Sequence, residues 1–208
     1  LDLSDLGGLA TNYLNLYNCS NVTGDLSDLG GKITYLLNLF GCSKITGSLS
    51  DLGGNIAHYL ALYNCANITG NLSDLGGAID YLLNLEKCSK ITGDLSDLGG
   101  NITYNLNLAS CQNITGDLSD LEGNVSYSLN LSGCSKITGS LSDLNGSVSY
   151  YLNLYNCKNV TGIYSGNSFP KTINLSYTGL TAADMDQTLI NFNAGTTGTG
   201  KFTATGMT

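Results

Sequence analysis

Residues 32–42 read Lys32-Ile33-Thr34-Tyr35-Leu36-Leu37-Asn38-Leu39-Phe40-Gly41-Cys42. Ile33, Tyr35, Leu37 and Leu39 alternate with Thr34, Leu36, Asn38 and Phe40, a period of two that predicts a strand with one buried face. The inward set recurs as Ile102, Tyr104, Leu106 and Leu108, and as Val148, Tyr150, Leu152 and Leu154. Each copy ends on a cysteine: Cys19, Cys42, Cys65, Cys88, Cys111, Cys134 and Cys157 stand 23 residues apart. No chemistry needs that comb. A strict period between about 20 and 50 residues is the signature of a solenoid, each repeat forming one rung. Identical strands joined by a second pass of chain must run parallel.

The return pass reads Ser43-Lys44-Ile45-Thr46-Gly47-Ser48-Leu49-Ser50-Asp51-Leu52-Gly53-Gly54. Ile45, Leu49 and Leu52 are placed to point inward. Gly47 and the Gly53-Gly54 pair supply the positive φ of a tight coil. The pass is too short for a long helix, so short extended or turn segments are expected.

The run Leu37-x-Leu39-x-x-Cys42-x-x-Ile45-x-Gly47-x-Leu49, with its equivalents in all seven copies, resembles the leucine-rich repeat family. The Ile-Thr-Gly-x-Leu stretch is similar to the subclass with a second short strand beside the main sheet. The chain departs from the family where Ile33 stands six residues before Leu39, one more than usual. The resemblance implies a mainly β solenoid, a right-handed coil. Its parallel sheet would lie on the concave side, with short strands and turns on the convex side. It also implies recognition of another molecule as the commonest use. Seven copies fill residues 1–162, and residues 163–208 read as a degenerate last repeat and a small α/β C-terminal cap.

In that cap, Ile173-Asn174-Leu175 reads as a last strand. Thr181 and Asp184 form a capping-box-like start. Met185, Leu189 and Phe192 share one face of a helix over about 182–193, which Gly195 stops. Lys201 to Thr205 is a candidate edge strand. The chain starts inside the repeat pattern at Leu1, without a cap, as an excised or processed fragment would.

The chain holds 16 acidic residues against eight lysines and no arginine. Phosphate recognition leans on arginine forks and clustered basic charge, so nucleic acid is not an expected partner. No apolar stretch approaches the ~18 residues of a membrane span. In-register cysteines ~4.8 Å apart are too far for the ~3.8 Å Cβ separation of a disulfide. They are expected to be buried thiols. With His58 the only histidine, no zinc cluster and no catalytic triad is expected. No cofactor is implied, and His58 reads as a packed aromatic substitute in the slot of Tyr35, Tyr81 and Tyr104.

Other columns read as structural. Asp5, Asp28, Asp51, Asp74, Asp97, Asp120 and Asp143 are expected to accept N–H groups from the Leu-Gly-Gly turn that follows each; the competing reading is a calcium ladder. Asn15, Asn38, Asn84, Asn107, Asn130 and Asn153, broken by Ala61, are expected to bond rung to rung. A carbohydrate-binding amide row is the alternative. Lysine and asparagine alternate through Asn21, Lys44, Asn67, Lys90, Asn113, Lys136 and Asn159, a pattern expected of a unit of two copies, which keeps ammonium groups ~10 Å apart.

Two outward positions vary between copies. One runs Tyr13, Leu36, Tyr59, Leu82, Asn105, Ser128, Tyr151; the other runs Tyr17, Phe40, Tyr63, Glu86, Ala109, Ser132, Tyr155. Both flank the asparagine column. An exposed patch built from Tyr13, Tyr17, Leu36, Phe40, Tyr59, Tyr63 and Leu82, with Glu86, Tyr151 and Tyr155 beyond it, is the expected ligand face. The expected function is a non-catalytic recognition module for a protein or a carbohydrate. Its expected setting is extracellular, on a cell or virion surface, as in a bacterial adhesin or phage receptor-binding protein. The alternative is a structural subunit that assembles head-to-tail into a fibre, with Leu3 and Leu6 near the joint.

Overall fold

The computed structural model describes residues 1–6, 11–76, 79–165, 168–195 and 200–206. In chain order the strands of the first copies are β1 (Tyr13–Asn15), β2 (Leu36–Asn38), β3 (Gly47–Ser48), β4 (Tyr59–Ala61), β5 (Ile68–Asn71), β6 (Leu82–Asn84) and β7 (Ile91–Asp94). Then follow β8 (Asn105–Asn107), β9 (Ile114–Asp117), β10 (Ser128–Asn130), β11 (Ile137–Ser140), β12 (Tyr151–Asn153), β13 (Asn159–Thr161), β14 (Thr172–Asn174), the helix α1 (Ala182–Gly195) and β15 (Lys201–Thr203).

Among the described residues these form two parallel sheets. Nine strands lie in the order β1-β2-β4-β6-β8-β10-β12-β14-β15, and six lie in the order β3-β5-β7-β9-β11-β13. The first sheet is in register at one repeat: Leu37 faces Leu60, and Leu60 faces Leu83. The result is a solenoid-like stack in which each copy is one rung. The second short strand that the resemblance implies and the turn-rich return pass expected from its length are both present.

The core is a set of columns. Leu37, Leu39, Ile45 and Leu49 are fully buried, as are their counterparts Leu83, Leu85, Ile91 and Leu95. Each such aliphatic side chain contributes about 1.5–3 kcal/mol on burial. Cys19 is exposed, but the other six cysteines are buried, and all seven are free. Each buried thiol donates to the preceding rung, to the carbonyl of the leucine that follows the strand, 26 residues earlier: Cys42 to Leu16 at 3.1 Å, Cys88 to Leu62 at 2.9 Å, Cys111 to Leu85 at 3.0 Å. Burial pushes the thiols of Cys65, Cys111, Cys134 and Cys157 up to about 12. They therefore stay protonated donors at neutral pH.

Each Leu-Ser-Asp-Leu run is one 3-10 turn with a capping box. At Leu26–Leu29 the Asp25 side chain accepts from the Ser27 N–H, while Asp28 accepts from the Asp25 N–H at 2.8 Å. The aspartate column thus bonds backward to the turn's own first residue, not forward to the glycines as the sequence suggested. The cap slot holds Asp25, Ser48, Asn71, Asp94, Asp117 and Ser140, residue types that all serve as N-caps. That explains why the slot is not uniformly acidic. Threonine hydroxyls of the next rung add a second donor: Thr46 reaches Asp25 at 2.8 Å and Thr115 reaches Asp94 at 2.8 Å. Backbone Ser27 first, then Thr46, holds the Asp25 carboxyl below its ordinary range.

The lysine–asparagine alternation has a partner on every second rung. Lys44, Lys90 and Lys136 donate to Asn21, Asn67 and Asn113 at 3.2, 3.2 and 3.3 Å. Beyond the repeats, β14 continues the main sheet and β15 pairs on it in parallel. The helix starts with the expected box, Asp184 and Thr181 exchanging bonds at 3.1 and 3.2 Å. Met185 and Phe192 are buried on its inner face, and Leu189 packs against the core.

Candidate functional site

Four columns make the outward face of the nine-stranded sheet. The first strand position aligns Tyr13, Leu36, Tyr59, Leu82, Asn105, Ser128 and Tyr151 side by side. Tyr13, Tyr17 and Tyr155 stand exposed, while Leu36, Phe40, Tyr59, Tyr63, Leu82, Glu86 and Tyr151 are half-buried by their neighbours. The second variable column stacks ring on ring: Tyr17 to Phe40 at 4.9 Å and Phe40 to Tyr63 at 4.1 Å. Lys87 closes that stack, its Nζ 2.9 Å from Tyr63 Oη and 4.9 Å from the ring centroid. Glu86 accepts from Asn107 Nδ2 at 2.9 Å. Tyr155 makes an edge contact with Tyr177, at 5.4 Å.

The asparagine column sits between these two. Each Oδ1 accepts the N–H two residues on: Asn38 from Phe40 at 3.1 Å, Asn84 from Glu86 at 3.1 Å, Asn130 from Ser132 at 3.2 Å. This local turn ends each strand, in place of the expected rung-to-rung amide bonds. Asn174 extends the column by one rung in the same way, at 3.1 Å from Ser176 N.

The largest departure concerns the tyrosines read as inward. Tyr35, Tyr81 and Tyr150 are exposed, and Tyr104 and Tyr127 are half-exposed. They form one continuous ladder on the outside: Tyr13, Tyr35, His58, Tyr81, Tyr104, Tyr127, Tyr150. Successive ring centroids are 5.0, 4.6, 4.8, 4.9, 4.6 and 4.7 Å apart. Lys171 Nζ lies over the last ring, 5.7 Å from its centroid. His58 is the aromatic substitute expected, but in an outer stack, with Nδ1 2.8 Å from Asp80 Oδ1.

The strand explains the difference. It spans only three residues, Leu36–Asn38, and Tyr35 lies in the bend before it. Alternation therefore does not carry back from Leu37 to Tyr35, although Ile33 is again buried. Solvation supplied the missing signal. A column of inward phenols would bury one hydroxyl per rung among aliphatic side chains, each needing a partner.

The geometry sets what this face offers. In the long ladder ring faces cover one another, so edges and hydroxyls are presented to a ligand. Tyr59 and Tyr151 make no ring–ring contact among the described residues; Tyr59 stands between Leu36 and Leu82 in its column. Among the described residues no group of three His, Cys, Asp or Glu side chains is placed to hold a metal ion. No helix there is long and apolar enough to cross a membrane. The chain matches no protein-family model, no curated protein and no solved structure.

Proposed function

We propose that the protein is a non-catalytic recognition module of the leucine-rich repeat kind. In this reading the coil is right-handed and the outward strand face lies on its concave side. That face engages a protein or carbohydrate on a cell or virion surface or in the extracellular space. The observation that carries the reading is the contrast between columns. Inward positions hold aliphatic side chains and cysteine in every copy, whereas the two outward columns change along the stack, one from tyrosine and leucine to Asn105 and Ser128, the other from aromatic to Glu86, Ala109 and Ser132, before both return to tyrosine. Variable aromatic side chains on a rigid frame give large contact area at low entropic cost.

The test is a Tyr59→Ser, Tyr63→Ser variant, probed beside the wild type on arrays of glycans and surface proteins. Loss of binding with an unchanged circular-dichroism spectrum supports the assignment. Equal binding by both chains overturns it.

A further inference from the structure

Between Leu82 and Tyr151 the outward face sinks into a depression of about 240 Å³, lined also by Asn105, Asn107, Ser128 and Asn130. Its origin is in the sequence. The fifth and sixth copies carry Asn105 and Ser128, then Ala109 and Ser132, where the first four place tyrosine, leucine, phenylalanine or glutamate. The outer layer of large side chains is missing over two rungs, or ~10 Å along the stack.

The polar groups left there are under-used. Asn107 is satisfied, its Oδ1 taking the Ala109 N–H at 3.2 Å and its Nδ2 donating to Glu86 at 2.9 Å. The Nδ2 of Asn130, the Asn105 amide and the Ser128 hydroxyl have no hydrogen-bond partner among the described residues. One wall is Leu82. The other is Tyr151, whose oxygen accepts from Asn153 Nδ2 at 2.9 Å and whose ring face no other ring covers.

We infer that this depression is a subsite for one neutral sugar unit. The inference rests on the reading that the outward face binds ligands. Amides and a hydroxyl offer both donors and acceptors, as vicinal sugar hydroxyls require. Leu82 and the Tyr151 ring, both lining the depression, suit the C–H face of a pyranose. An apolar ligand would desolvate the amides without replacing their hydrogen bonds. An anion is disfavoured: the Glu86 carboxylate bonds the lining Asn107, its neighbour Lys87 is held by Tyr63, and the chain carries a net charge of −8. The size suits a single ring, lying below the ~300–1,000 Å³ of drug-sized sites.

The experiment follows the side-chain NH2 signals of Asn105, Asn107 and Asn130 by NMR in the full chain. The probes are methyl glycosides of glucose, galactose and N-acetylglucosamine, with N-acetylneuraminic acid as the anionic probe. The expected result is saturable shifts of these signals with a neutral glycoside, at concentrations on the order of millimolar, and none with the acid. Asn105→Leu with Ser128→Leu rebuilds the surface already present at Leu36 and Leu82, and weakens binding at least about tenfold. Silence toward all three neutral glycosides, or undiminished titration of the filled variant, overturns the subsite. If the filled variant loses a protein ligand while no glycoside titrates, the depression takes a protein side chain and the inference fails. A sugar-blind depression in a chain whose array binding still depends on Tyr59 and Tyr63 removes the subsite alone. Array binding independent of those tyrosines removes the underlying reading.

Discussion

His58 Nδ1 lies 2.8 Å from Asp80 Oδ1, and each residue is the exception in its own column. The ladder slot otherwise holds tyrosine from Tyr35 to Tyr150, and the slot of Asp80 otherwise holds threonine, serine or alanine after Thr34. Two departures on neighbouring rungs meet in one contact. The side chains are 32% and 62% exposed, so the pair is worth about 0–1 kcal/mol. A double-mutant cycle of His58→Tyr and Asp80→Thr, read by urea unfolding, should return a coupling of that size. A coupling above about 2 kcal/mol would show that the pair holds the stack together.

Thiol chemistry should divide the cysteines one against six. Cys19 is exposed, and the rest are buried donors to backbone carbonyls of the preceding rung. Native protein treated with a maleimide should gain one label, at Cys19, by mass spectrometry. Labelling of Cys88 or Cys111 without denaturant would contradict the burial.

The same thiols set an alkaline limit. In the folded chain burial raises all six, and Cys65, Cys111, Cys134 and Cys157 ionise at about 12 instead of the ordinary 9.0, so the unfolded chain loses protons first. Their contribution is full below pH 9 and falls as pH rises toward 12. At the acid end, Asp25, Asp94 and Asp117 lie below the ordinary 3.8, because Ser27, Ser96 and Ser119 donate to them. Their contribution is present above pH 3.8 and lost as pH falls through the depressed values. Thermal melts from pH 2 to 12 should show a plateau bounded on both sides; an unchanged melting temperature at pH 11 would contradict the thiol assignment.

Two glycine columns should respond differently to substitution. Gly93 has φ +122°, and an added Cβ would lie 2.7 Å from the Leu72 backbone nitrogen in the preceding rung. Gly93→Ala combines strain with a backbone clash and should cost about 2–5 kcal/mol. Gly53, at φ +64°, caps a 3-10 turn in a slot that Glu122 and Asn145 fill elsewhere in the chain. Gly53→Asn should cost under about 1 kcal/mol. Denaturant titration of both separates the two roles.

Much of this architecture is legible in the repeat itself. The cysteine comb, the inward Leu37, Leu39, Ile45 and Leu49 and the capped helix follow from spacing and pattern, whereas the second strand is what the family resemblance implies. The tyrosine ladder did not, because period-two reasoning assumes the strand extends to Tyr35, and it stops at Leu36. The Asp28 and Asn38 columns read as structural in the sequence, and their hydrogen bonds are local to one turn. Column position alone does not say whether a short polar side chain bonds along the chain or across it. The depression over Asn105 and Ser128 was visible only as a break in the aromatic series, and its open amides needed three dimensions.

The most direct test of the outward face is a hydroxyl-radical footprint of the wild type with and without a ligand captured on the arrays. The account predicts protection of Tyr13, Tyr17, Tyr59 and Tyr63, with Tyr177 and Ile190, both exposed, unchanged as controls. Protection confined to the Leu-Ser-Asp-Leu turns, with those four tyrosines labelled equally in both states, would contradict it.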